Sequence, residues 1–382
     1  MPSPLHLPCP YQASRPGSDQ ATLVGFLSSH LGRWPHRRRD WFAALATMCR
    51  DLLPHGSVLL DAPRTTAAQY VRRCAALFGH STSSVATDLV PRADRDRLLV
   101  ESANTIVVLS ARPGSRTESL LKTTLTRRPE SDATWYVAQL ESLVPARLFR
   151  RCRSRGARPF LPVIPPITAS RTSHRSPPWA CLKRIAHRDW LVHCTRESSG
   201  RWPGEQIDEY HDNLILGRPE ADHSAVATLG RILSQRRIRA VSRPVEGHPR
   251  AVSFTACGLD QLHALRRFRP HRGRWDFEPY GLAIAREWLQ ARGTCEVTYR
   301  PSDQLESPGP FQQPISSGRS GRLEWRHERE WRHPGHVELS ELDADDGIVL
   351  IRDPHEREQL PAGIPWPVLA LDHSDGGTSK IQ

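Results

Sequence analysis

Between Trp41 and Gln139 short apolar runs alternate with segments of helical spacing, and that alternation restricts the fold more than any other feature. WFAALATMCRDLL (Trp41–Leu53) carries apolar residues at helical spacing and stops at Pro54-His55-Gly56. SVLLD (Ser57–Asp61) reads as a strand, and TAAQYVRRCAALFG as a helix that ends at Gly79. A second strand is expected within Ser83–Val90, followed by a helix around Asp94–Ser102 and the strand Thr105–Leu109. A helix after Thr117 and the strand Ala133–Gln139 complete the series. Strands alternating with helices predict a parallel sheet covered on both faces, a small Rossmann-like α/β domain.

Such sheets bind ligands beyond the carboxyl ends of their strands. The loops there offer Arg64, Arg112, Gly114 and Ser115, an arrangement able to hold an anion beside a helix N-terminus. Neither a G-x-G-x-x-G nor a Walker loop is present, so an ordinary polar loop is the competing reading.

The second half has a different rhythm. WLVHCTR (Trp190–Arg196) reads as a strand, Asp208–Leu216 and Asp222–Gln235 as helices, with Asp222 as N-cap of the latter. IRAVSR and AVSFTAC follow as strands, then a helix over Leu259–Phe268, a strand after WDFEPY, the short helix REWLQARG and the strand CEVTY. LEWRHEREWR, GIVLI and WPVLAL are all strand-like. This predicts an α+β mixed-sheet C-terminal domain.

Charge marks the boundary between the halves. The chain has 53 Lys+Arg against 41 Asp+Glu, a formal net of +12. Arg147–Arg201 alone holds 13 basic and 2 acidic residues, in a stretch rich in Pro and Ser. The expected organisation is therefore an irregular arm over 1–40, an α/β domain over 41–146, a basic linker over 147–188, an α+β domain over 189–372 and a disordered tail over 373–382. A basic linker attracts nucleic acid weakly and non-specifically. The eight cysteines are scattered and the histidines lack ligand spacing, so free thiols and no metal are expected. No apolar run approaches the roughly 20 residues of a membrane helix, and no leader is visible. The expected setting is the cytoplasm, away from membranes.

One constellation carries chemistry: Arg196, then Ser253-Phe254-Thr255, then Glu328-Arg329-Glu330. On strands, Ser253 and Thr255 would share a face, as would Glu328 and Glu330. An Arg fork can hold phosphate bidentately, and hydroxyls can orient a ribose. Glu330 would stabilise an oxocarbenium-like centre and Glu328 would activate the nucleophile. Phe254 or Tyr280 would stack on a nicotinamide ring. Cleavage of the nicotinamide–ribose bond uses such parts, which makes NAD a candidate substrate, with no resident cofactor required. The bland alternative is a solvated strand with alternating charges, each exposed pair worth about 0–1 kcal/mol.

The order H-C-T-R, S-F-T, Y-G-L-A-I with V-T-Y, then E-R-E-W-R resembles AbiGi-type abortive phage-resistance proteins and, distantly, DarT-like ADP-ribosyltransferases. The order R…S-x-T…E-x-E is similar to the Arg-Ser-Glu class of those transferases. HCTR, DNLILG, SFTA and EREWRH also resemble runs in bacterial proteins with no assigned activity. In the first half, PGSRTE resembles the P-G-G-x-G-T loop of LOG-type nucleotide-processing domains, without its second and third glycines. The resemblance implies an NAD-consuming C-terminal module in phage defence or stress. The rival reading is a non-catalytic module that binds a protein partner or confers immunity, and a third is a nucleic-acid-associated protein using its basic linker.

Overall fold

The strands expected between Trp41 and Gln139 pair in parallel in the computed structural model of the chain. It describes residues 21–65, 67–85, 90–127, 133–165, 177–181, 185–240, 250–270, 272–301, 311–315 and 325–371. The chain divides into two compact units, Met1–Ile167 with Ser199–Asp222, and Thr168–Ser198 with His223–Gln382.

In the first unit, β1 (Leu23–Ser28), β2 (Val58–Asp61), β3 (Ser81–Ser84), β4 (Thr105–Ser110), β5 (Thr134–Ala138) and β6 (Arg158–Phe160) form one sheet. Its order is β3-β2-β1-β4-β5-β6, with every pair parallel. All six residues of β4 are buried, as an apolar strand covered on both faces requires. The order reverses between β1 and β4, where open α/β sheets form their ligand crevice. The helices are α1 (Arg39–Thr47), α2 (Ala68–Phe78), α3 (Arg92–Ser102), α4 (Arg116–Arg127) and α5 (Ala146–Arg153). α1 runs on as one π-helical turn, Met48–Leu52, and Gly79 ends α2 with φ 73° as expected.

Two corrections to the expected organisation concern this unit. β1, a central strand with Val24 and Leu27 fully buried, lies inside the segment expected to be an irregular arm. α5 and β6 lie inside the expected linker: α5 buries Leu148 and Cys152 and turns Arg150, Arg151 and Arg153 to solvent. Its basic face dominates its composition and hides a two-residue apolar stripe. The strand expected within Ser83–Val90 is β3, which begins earlier, and 86–89 lie outside the described residues. So does the expected tail.

A sixth helix of this unit, α6 (Ile207–Leu216), comes from later in the sequence. Arg73 of α2 explains why it packs here. Its Nε and NH2 donate to Asp212 at 2.5 and 2.7 Å, and NH1 reaches Asp208 at 3.1 Å. Beside this fork Tyr70 meets His211 and Phe42 edge-on, with ring centroids 4.8 and 4.9 Å apart.

The second unit contains β7 (Trp190–Cys194), β8 (Arg237–Ile238), β9 (Ala251–Thr255), β10 (Arg267–Arg269), β11 (Arg274–Asp276), β12 (Gly281–Ala285) and β13 (Cys295–Glu296). It continues with β14 (Thr298–Pro301), β15 (Gln312–Ile315), β16 (Glu330–Pro334), β17 (Val337–Glu338), β18 (Gly347–Ile351) and β19 (Val368–Ala370). The main sheet runs β13-β16-β9-β7-β12-β18-β19 and is antiparallel except for β18–β19, hence mixed. Its helices include α7 (Ala225–Gln235), α8 (Leu262–Leu265) and α9 (Arg286–Gln290).

Three local expectations change here. Ser224, not Asp222, caps α7, its Oγ accepting from the Ala227 N–H at 3.3 Å. The helix expected over Leu259–Phe268 ends at Leu265, and Arg267–Arg269 pairs instead with Arg274–Asp276 as a hairpin. LEWRHEREWR is not one strand: Trp325–Glu328 forms a 3-10 turn, Arg329 takes φ 44°, and only Glu330 onward joins the sheet.

Gly281 lets β12 approach β7 closely, because a Cβ there would lie 2.3 Å from the His193 carbonyl oxygen. Gly230, inside α7, faces open space. Gly281→Ala should therefore lower the thermal midpoint by several degrees or abolish soluble expression. Gly230→Ala should raise stability by up to about 1 kcal/mol, read by denaturant unfolding. Equal effects would contradict the packing described.

Candidate functional site

β9 and β16 form the base of the site. Their antiparallel register sets Glu330 opposite Thr255 and Arg332 opposite Ser253. These four share one face of the sheet, whereas Phe254 and Trp331 point to the other. Arg332 is 1% exposed and its guanidinium forks onto Glu330, Nε to Oε1 at 2.8 Å and NH2 to Oε2 at 2.9 Å. A buried guanidinium needs such a partner, because removing one member leaves an uncompensated charge. The same carboxylate accepts the Ser253 hydroxyl at 3.0 Å and the Tyr299 hydroxyl at 3.3 Å. Ser253 is exposed, so this cluster opens to solvent.

Glu328 sits beside it, delivered by the 3-10 turn and the left-handed Arg329 rather than by strand alternation. Burial pushes its carboxyl up to about 7, with Arg269 opposing and Glu330 and Asp276 adding to the rise. Arg269, itself buried, lies 3.5 Å from Glu328 and donates through Nε to Asp276 at 2.9 Å. Asp276 in turn acts electrostatically on Arg196. That guanidinium is accessible to water, yet surrounding protein desolvates it and lowers its pKa, while Asp276 pulls the other way and Arg272 adds to the fall. A line of charged groups thus runs from Arg196 through Asp276, Arg269 and Glu328 to Glu330.

His193 lies on the Phe254 side, its ring 5.8 Å from that of Phe254 and Nδ1 2.9 Å from the Ser253 carbonyl. That contact makes Nδ1 the donor and leaves Nε2 the lone pair. Burial lowers the imidazole pKa to about 4, so the ring is neutral. Burial raises the neighbouring Cys194 thiol to about 12, which makes it a poor nucleophile at neutral pH.

The expected residues divide into two sets. Glu328, Glu330 and Arg196 belong to the charged line, and Ser253 is bonded to its Glu330 end. Thr255 is 2% exposed, its hydroxyl donating to the Glu328 carbonyl at 2.5 Å and accepting from the Cys257 N–H at 3.1 Å. It holds the turn and cannot orient a substrate. Phe254, 3% exposed, packs into the core on the opposite face. Tyr280 is 6% exposed, its hydroxyl donating to Glu356 at 2.7 Å and its ring lying under the Arg352 guanidinium at 5.2 Å. Neither ring is placed to stack on a ligand. The sequence reading missed Arg332, Tyr299, Arg269 and Asp276; only Arg332 had a signal, two residues from Glu330 on one strand.

In the first unit two of the four expected anion donors, Gly114 and Ser115, serve the chain itself. The Gly114 N–H donates to Glu118 Oε2 at 2.8 Å and the Glu118 N–H to Ser115 Oγ at 3.2 Å. Lys122, then Gly114, hold the Glu118 carboxyl below its ordinary range. The α4 N-terminus thus carries its own carboxylate, which removes Gly114 from the expected anion site and commits Ser115 to capping. Arg112 is exposed beside it, and Arg64 takes φ 61° in the turn after β2.

Among the described residues, no group of three or more His, Cys, Asp or Glu side chains is arranged to hold a metal ion, and no helix is long and apolar enough to cross a membrane. The chain matches no protein-family model, no curated protein and no solved structure.

A carboxyl raised by burial favours its protonated form in the folded state. Glu328 therefore contributes stability that is complete below its ordinary 4.5 and is lost as the pH rises through about 7. The stability of Glu328→Gln relative to the unsubstituted protein should increase between about pH 4 and pH 8, by on the order of 1–3 kcal/mol. A difference independent of pH in urea unfolding would contradict the placement of Glu328.

Proposed function

We propose that the second unit acts on the N-glycosidic bond of NAD, as an ADP-ribosyltransferase-like or NAD glycohydrolase module serving phage defence or a stress response. The observation that carries this is the pair of carboxylates in unlike surroundings: Glu330 forked by Arg332 and Glu328 raised to about 7. Two neighbouring carboxyl groups whose environments separate their protonation are the usual equipment for chemistry at a sugar acetal centre. Glu330, held in place by the Arg332 fork, would face the positive charge that develops at the ribose carbon as nicotinamide leaves. Glu328, with a pKa close to neutrality, would take the proton of the incoming water or acceptor hydroxyl. Ser253, exposed and bonded to Glu330, would exchange that bond for a ribose hydroxyl. Arg196, at the other end of the charged line, would bind phosphate.

The test is NAD consumption by the full chain, with nicotinamide release read by chromatography. Glu330→Gln should reduce turnover by about 100-fold or more and Ser253→Ala by less, while Glu328→Gln should abolish the rise of rate through about pH 7. Ser253→Ala keeps the buried ion pair and so guards against reading misfolding as lost catalysis. Unchanged turnover in Glu330→Gln, or no turnover by the unsubstituted chain, would overturn the reading.

A further inference from the structure

A second surface of unusual composition lies on the hairpin β10–β11. Its sequence, RRFRPHRGRWD (Arg266–Asp276), holds five arginines and one aspartate. Register pairs Phe268 with Trp275, so both rings lie on one face, centroids 5.4 Å apart and inclined at 59°. Both are exposed, at 44% and 39%. Arg266 lies over the Trp275 ring, its guanidinium carbon 4.7 Å from the centroid, and Arg266, Arg267 and Arg272 are all exposed. The opposite face is anchored: Arg269 is buried against Asp276 and Glu328.

Adjacent large aromatics on the solvent side of a two-stranded hairpin forfeit the burial that normally stabilises them. The Phe268–Trp275 pair contributes cross-strand packing and nothing further to the core. With the Arg266 guanidinium over the Trp275 ring and Arg272 exposed in the adjoining turn, the hairpin has the two elements that single-stranded nucleic acid requires: flat apolar platforms for bases and cations for the phosphates between them. An acidic protein segment would use the arginines but leaves both rings without planar partners. Among its described residues, the basic stretch Arg147–Arg201 has no comparable pair of exposed rings on a shared strand face.

We propose that the Phe268–Trp275 face, with Arg266 and the turn residue Arg272, is a binding surface for single-stranded nucleic acid. It rests on the hairpin alone and holds whether or not NAD is the substrate of the neighbouring carboxylates.

The experiment is fluorescence anisotropy of a labelled mixed-sequence DNA single strand of about 20 nucleotides with the full chain, at several salt concentrations. Trp275→Ala and Phe268→Ala should each weaken binding by about 5- to 150-fold, the range that loss of one base–ring stack implies. Arg266→Gln should reduce the salt slope by about 0.7, for one lost phosphate contact. Unlabelled polyglutamate of equal charge should compete poorly. Circular dichroism melting checks that the variants fold, which is expected because the substituted side chains are exposed. Affinity unchanged in both ring variants, binding lost only when Arg147–Arg158 is neutralised, or equal competition by polyglutamate would each overturn the proposal.

Discussion

The candidate site depends on one buried ion pair. Arg332 occupies a sheet position where it is 1% exposed, and a guanidinium there cannot remain without a counter-charge. Glu330, two residues earlier on the same face, supplies both oxygens. Once Glu330 is fixed in this way, its remaining acceptor capacity orients Ser253 and Tyr299. Its charge also makes ionisation of the buried Glu328 harder. Arg269 limits that effect and carries it on to Asp276 and towards Arg196. The unlike character of the two carboxylates therefore follows from the partner each one has.

Much of the first sheet was legible because a covered parallel strand must be a continuous apolar run, and SVLLD, TIVVL and TWYVA are such runs. LVGFLS is one too, but it follows a Pro-rich segment without periodicity and was absorbed into the arm. α5 was missed for the opposite reason: eight residues with four arginines bury only Leu148 and Cys152, so composition outweighed pattern. α6 was read correctly as a helix, yet no local feature announces that Asp208 and Asp212 pair with Arg73, more than 130 residues earlier.

In the site, alternation on β9 set Phe254 apart from Ser253 and Thr255, and that reading was available from the sequence. The pairing of Glu328 with Glu330 was expected for the wrong reason. Period-two spacing suggested a strand, but a non-glycine residue at φ 44° breaks it, and nothing in a side chain's identity reveals such a bend. Thr255 was misassigned because a hydroxyl on the correct face can serve either the backbone or a ligand. Here the Glu328 carbonyl and the Cys257 N–H occupy it. Tyr299 and Arg269 arrive from separate strands, beyond the reach of local reading.

The turn at Arg329 sets a protonatable carboxyl beside an ion-paired one, and the chemistry of the site depends on that juxtaposition. Carbon-13 NMR of the glutamate side-chain carboxyls, with Glu328→Gln to assign the signal, measures this directly. A carboxyl titrating near 7 that disappears in Glu328→Gln is the predicted result. Titration of that signal near the ordinary 4.5 would contradict it.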